Sequence, residues 1–199
     1  MRIYVCSKNS GKLKEFALAA KQARLADLTF EPLPDLDQIE APGESGSTFE
    51  ENATAKALYY SAFTSEIVLA DDSGLRVDAL NGAPGVRSAR YAGPGASDEE
   101  NNNLLLRDLG AAAHREARFL CVLALARQHR LMLTTRGVAE GTILIAPRGH
   151  NGFGYDPLFF YPPLNRSFAE LSAEEKFSVS HRGNALRALF KKLPQLELR

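Results

Sequence analysis

The hexapeptide Ser7-Lys8-Asn9-Ser10-Gly11-Lys12 lies between an apolar run, Ile3-Tyr4-Val5-Cys6, and a segment with Leu13, Phe16, Ala17 and Ala20 at helical spacing. A polar, glycine-containing turn at a helix start suits an anion. First-turn N–H groups lack intrahelical partners, aligned peptide dipoles place about half a positive charge there, and glycine allows close backbone approach. Lys12 adds a cation, and Ser7, Asn9 and Ser10 add hydrogen-bonding groups. The nucleotide-triphosphatase fingerprint G-x-x-x-x-G-K-[ST] is not met, because Cys6 stands at its first glycine and Leu13 at its metal-binding hydroxyl. Taken alone, the turn also suits a solvated helix cap.

Asp71-Asp72-Ser73-Gly74 follows the apolar run 66–70, which brings two carboxylates and a hydroxyl to a strand end, although these residues are also turn formers. Neighbouring strand residues face opposite sides, so the carboxylates cannot serve one ligand equally, and the local pattern does not say which serves. A hard cation such as Mg²⁺ suits a carboxylate together with phosphate oxygens, and a nearby carboxylate can orient or deprotonate water. Glu44, in the loop before the second helix, and Asn52 with Lys56, one turn apart on it, can supply a metal carboxylate and a phosphate cation. Helical spacing puts Asn52 and Lys56 on the exposed side, away from Phe49, Ala53 and Ala57, where they also read as surface polar groups. In Gly152-Phe153-Gly154-Tyr155-Asp156-Pro157, Phe153 can stack on a base and Asp156 can accept hydrogen bonds. His181 and Arg182 head the last helix, with Lys176 shortly before; a single histidine reads first as a satisfied imidazole. His114, His129 and His150 show no zinc-like spacing, and Cys6 and Cys121, in apolar runs, read as buried thiols.

The elements that must position these groups follow from periodicity and caps. A strand over 2–6 leads into the first helix, and a Pro-rich connector over 31–46 leads into a second helix, opened by a Thr48/Glu51 capping box. A strand over 66–70, a short strand over 75–80 and a turn-rich stretch follow, then a helix from a Ser97/Glu100 box through Leu106. Residues 117–126 and 131–146 read as neighbouring antiparallel strands, so the sheet is mixed. A Ser172/Glu175 box precedes a final amphipathic helix with Leu186, Leu189, Phe190 and Leu193 inward. The fold class is α/β, one domain over 1–199, with 45% hydrophobic residues to build a core. Lys+Arg and Asp+Glu balance at 24 each, which argues against a nucleic-acid surface. The start lacks signal-peptide features and no run suits a membrane span, so a cytoplasmic location is expected.

In order and spacing, the stretches 7–12, 44–57, 70–93, 152–160 and 173–186 resemble the inosine triphosphate pyrophosphatase family over essentially the whole chain. The family usually begins its first loop Thr-Gly-Asn; here Ser7 keeps the hydroxyl and Lys8 replaces the glycine. The resemblance implies hydrolysis of ITP, dITP and XTP to the monophosphate and pyrophosphate, with Mg²⁺ as cofactor. It assigns substrate binding to Ser7, Lys8, Asn9, Ser10, Gly11, Lys12, Lys56, Ser73, Phe153, Gly154, Tyr155, Asp156, Lys176, His181 and Arg182. It assigns metal binding to Glu44 and Asp72, and the general base to Asp72. It further implies two lobes around a long mixed sheet, a substrate cleft between them and a homodimer. A related-fold pyrophosphatase for modified pyrimidine or methylated nucleotides, and a nucleotide sensor without turnover, are the competing readings.

Overall fold

The computed structural model describes residues 1–23 and 28–196. Its centre is a seven-stranded mixed sheet in the order β2-β1-β3-β4-β5-β6-β7. The strands are β1 (Arg2–Val5), β2 (Thr29–Pro32), β3 (Ile67–Val77), β4 (Glu116–Arg127), β5 (Arg130–Ile143), β6 (Phe159–Tyr161) and β7 (Arg166–Ser167). β2, β1 and β3 run parallel; every pairing from β3 to β7 is antiparallel. β4 and β5 form a long hairpin whose two turn residues, Gln128 and His129, have φ of 49° and 61°. Positive φ at both positions matches the right-handed twist of the flanking strands.

Alternation along β4 divides the helices between the two faces. Cys121, Leu123 and Leu125 pack with α1 (Ser10–Ala23) and α5 (His181–Lys192), whereas Leu120, Val122, Ala124 and Ala126 pack with α2 (Phe49–Tyr60). A third cluster joins α3 (Asp98–Leu109) to Phe119, Phe159 and Phe168 near β6. Both cysteines are buried free thiols.

Most caps lie where the spacing put them. Ser97/Glu100 and Ser172/Glu175 form complete boxes, the second opening α4 (Ala173–Val179). Thr48 accepts from Glu51 N, but the Glu51 carboxylate turns to Ser47, at 2.7 Å from its N and 2.9 Å from its Oγ, so that box is only half formed. In α1 Phe16 is buried as expected, while Ala17 is exposed and Ala19 takes the buried place.

Two expectations need correction. Asp71–Gly74 does not end a strand: β3 runs unbroken through it, because β4 pairs with it residue by residue from Val68 to Val77. The cross-strand ladder overrides the turn preference of Asp, Ser and Gly. The connector after α1 also contains strand β2, which takes in Pro32; an edge strand tolerates a residue without an N–H.

Candidate active site

The site forms where β1 stops. β1 pairs with β3 only from Ile67 to Leu69, so beyond Leu69 one edge of β3 is open until Leu75 N donates to Ser88 Oγ at 2.9 Å. Asp71 and Asp72 occupy that open edge and face opposite sides of the sheet. Asp71 meets Lys12 of α1 at 2.8 Å and Arg182 of α5 at 3.4 Å. Asp72 meets Lys56 of α2 at 2.8 Å and accepts from Asn52 Nδ2 at 3.2 Å. A ligand lying across the unpaired edge can therefore touch groups from both faces.

Asn52 and Lys56 do not stand on the exposed side of α2. Asn52 is buried, holding Gly46 N at 2.8 Å with its oxygen and Asp72 with its amide. The Lys56 ammonium is shared by Asp72 and Glu44, the latter at 3.0 Å, and Arg90 donates to the other oxygen of Glu44 at 2.5 Å. The tertiary partners outweigh solvation here, since buried charge persists when paired.

The environments drive the two aspartates apart. Burial raises the Asp72 carboxyl above its ordinary value, Glu44 adds to this, and Lys56 and Asn52 oppose it. Burial also opposes ionisation of Asp71, but Lys12, Arg182 and Lys56 prevail and hold that carboxyl far below the usual range. Asp72 is thus the more basic of the pair. Glu44, against the burial penalty, is held down by Lys56 and Arg90.

Around the first helix start, Asn9 Oδ1 accepts from Lys12 N at 3.0 Å and Ser7 Oγ accepts from Asn9 N at 3.2 Å. These bonds cap α1 and fold the loop; Ser10 and Lys8 are exposed, and Lys8 pairs with Asp37 at 3.4 Å while lining the space beside Phe153. Gly11 is needed for space: a Cβ there would lie 2.6 Å from the Phe153 ring.

A cavity of about 120 Å³ is lined by Lys12, Ser73, Phe119, Phe153, Lys176 and Arg182 among others. Lys176 lies 4.6 Å from the centre of the Phe153 ring and bonds Asp156 at 2.5 Å. Asp156 also accepts from Phe153 N at 2.8 Å, and burial raises its carboxyl despite Lys176. Arg182 donates to Ser73 Oγ at 2.8 Å and pairs with Glu15, while its Nε, buried, has no partner among the described residues. His181 stacks on Phe119 at 4.6 Å with Nδ1 unpartnered among the described residues; burial, with Arg182 and Lys176 nearby, holds it well below the ordinary histidine value. Tyr155 lines the same cavity, but its hydroxyl is committed to Ser88 O at 2.8 Å; Gly154 lines it as well.

Among the described residues no group of three His, Cys, Asp or Glu side chains forms a ready-made metal cage. Glu44 and Asp72 nevertheless converge on one ammonium, so they fit a hard cation that takes its remaining ligands from phosphate and water.

The model of the Ham1 family matches residues 3–192. The chain belongs to the Ham1 family. Among its relatives, a protein of Exiguobacterium sp. named dITP/XTP pyrophosphatase is 52% identical over 191 residues, 95% of each chain. A protein of the same name from Syntrophobacter fumaroxidans is 49% identical, covering 98% of this chain and 82% of its own. The HAM1 protein from Coxiella burnetii superposes with a TM-score of 0.87 at 43% identity, over 98% of this chain and 99% of its own. The Staphylococcus aureus Ham1 protein gives 0.86 at 39%, with the same coverage.

Two charged members of this candidate site escaped sequence reasoning. Glu15 bridges Lys176, at 2.9 Å, and Arg182. Its position three residues after Lys12, on the same helical face, was the available signal. Arg90 lies in the short 3-10 helical stretch Gly85–Arg90, where no periodicity marks it out.

Proposed function

We propose that this chain hydrolyses non-standard purine nucleoside triphosphates, dITP, ITP and XTP, to the monophosphate and pyrophosphate, removing them from the nucleotide pool. The observation that carries the reading is the shared Lys56 ammonium: two carboxylates remote in sequence meet on one cation, beside a second lysine–aspartate pair at a helix start. The relatives named dITP/XTP pyrophosphatase support it.

In this reading the triphosphate lies across the open edge of β3, in a cleft between two lobes. Ser7, Lys8, Asn9, Ser10, Gly11, Lys12 and Lys56 surround its phosphates. Glu44 and Asp72 hold Mg²⁺, which when bound neutralises phosphate charge and lowers the pKa of water. Asp72, raised by burial, takes the proton of the attacking water, and pyrophosphate leaves. Phe153 stacks on the purine and holds it near Lys176, His181 and Arg182, with Ser73, Gly154, Tyr155 and Asp156 completing the pocket.

Selectivity follows from unpaired donors. The buried Arg182 Nε–H without a partner suits the six-oxygen of hypoxanthine or xanthine. Adenine presents an amino donor there and leaves the protein donor unpaired, a mismatch that can cost about 10⁴-fold in rate. The chain works as one domain, 1–199, in a cytoplasmic homodimer.

The test is a panel of ITP, dITP, XTP, GTP and ATP, scored by pyrophosphate release with and without a chelator. Chelator-sensitive turnover favouring the first three is expected. Comparable turnover of ATP, or release of orthophosphate only, sinks the assignment.

A further inference from the structure

The polar string Asp98-Glu99-Glu100-Asn101-Asn102-Asn103 opens α3, and Ser97 and Glu100 account for its cap alone. Two of its other members reach across to the loop that carries Phe153. Asp98 Oδ2 accepts from Gly154 N at 2.6 Å, and Asn102 Nδ2 donates to Gly154 O at 3.0 Å. Both backbone polar groups of a residue 52 to 56 positions away in sequence are thus held by one helix start.

The consequence falls on the neighbouring ring. Phe153 N is fixed by Asp156, and the Phe153–Gly154 peptide is fixed through Gly154 N by Asp98. The ring's place is then set by its two side-chain torsions, over a floor made by Gly11. Gly154 has φ of 62° and open space around a hypothetical Cβ, so glycine serves conformation there, not clearance.

Stability alone does not account for Asn102. Its side chain is buried and its Oδ1 has no partner among the described residues. An unsatisfied buried acceptor is unfavourable, whereas an apolar side chain of similar size would carry no such penalty. The amide is well used only if Gly154 must be held. Asn101, its neighbour, ties the same helix start to the other wall, accepting from Ala92 N at 2.8 Å and donating to Ala89 O at 3.4 Å.

We propose that Asp98 and Asn102 are positioning residues: through Gly154 they fix the Phe153 ring and so set the width of the base slot and its discrimination among purines. The inference rests on the proposed function, since it takes Phe153 as the stacking ring.

The experiment compares wild type with Asp98→Ala and Asn102→Ala, using Glu99→Ala as control. Glu99 is an exposed acid of the same helix start with no bond to Gly154, so its variant removes the same helix-terminal charge. For each protein KM and kcat are measured with ITP and GTP. Asp98→Ala and Asn102→Ala are each expected to raise KM for ITP about fivefold and to erode the ITP-over-GTP preference by a similar factor, the equivalent of one hydrogen bond. Their kcat values, and both parameters of Glu99→Ala, stay near wild type. Equal losses of kcat on both nucleotides at unchanged KM would show a merely structural role and overturn the inference. So would a Glu99→Ala that matches the other two. Wild type lacking any preference for ITP overturns the functional reading first, and this inference with it. Should Asn102→Ala fail to fold, Asp98→Ala, at an exposed position, carries the same test.

Discussion

Asp71 holds two cations, Lys12 at 2.8 Å and the buried Arg182 at 3.4 Å, so Asp71→Asn takes from Lys12 its carboxylate partner and leaves Arg182 with Glu15. Breaking a buried pair from one side costs about 3 kcal/mol, which for a chain of this size lowers Tm by roughly 6–12 °C. Asp72→Asn differs, because Lys56 keeps Glu44 and Asn replaces the carboxylate in shape. Its expected effect is on rate: a lost general base reduces kcat about 100- to 10,000-fold, with Tm within a few degrees of wild type. Thermal melts and pyrophosphate release on the two variants check the contrast, and an exchange of the two phenotypes would show that the roles are reversed. The types and order of these acids and cations were legible in the sequence, as was the opposition of the two aspartates, which follows from strand geometry alone. Which partner each one meets was not legible. Lys56 and Asn52 look like surface groups until β3 is laid beside α2, and Glu15 and Arg90 acquire meaning only from side chains far along the chain.

Helix α5 carries His181 and Arg182 in its first turn, and its distance from the sheet is set at Gly137 of β5. A Cβ there would collide with backbone atoms of His181, Asn184 and Ala185, which cannot move aside as a side-chain tip can. Gly137→Ala is therefore expected to push α5 outward, cost about 1–3 kcal/mol as overpacking does, and raise KM by moving both pocket residues together. Denaturant unfolding and steady-state kinetics read the two effects. A variant with unchanged midpoint and KM would mean the helix adjusts freely. The helices were legible because their starts are encoded locally, in Ser97/Glu100, Ser172/Glu175 and Thr48. Strands were less so. β2, β6 and β7 span four, three and two residues, and are strands only because a partner's register makes them so. β3 passes through four turn-forming residues for the same reason.

The whole molecule is neutral by formal count, yet its site concentrates paired charges around one buried imidazole. Burial is the larger influence on His181; Arg182, Lys176 and Lys12 also disfavour its charged form and Asp71 favours it, so burial and cations together keep it neutral in the folded state. In the unfolded chain it takes up a proton near 6.5. The folded value is depressed, so its contribution to stability is complete above pH 6.5 and is lost as pH falls towards the folded value, at up to about 1.4 kcal/mol per pH unit. Glu15 and Glu44 are also depressed, against burial, by their cations, but their contributions fall away only below about 4.5, the value of the free side chain. Asp72 and Asp156 are raised by burial and act in the opposite sense. Subtracting a His181→Phe variant, which preserves the stack on Phe119, removes all of these common terms. Urea unfolding at pH 7, 6 and 5 should show wild type losing stability relative to His181→Phe as the pH drops. Parallel curves would mean that His181 accepts its proton inside the folded protein as readily as outside it.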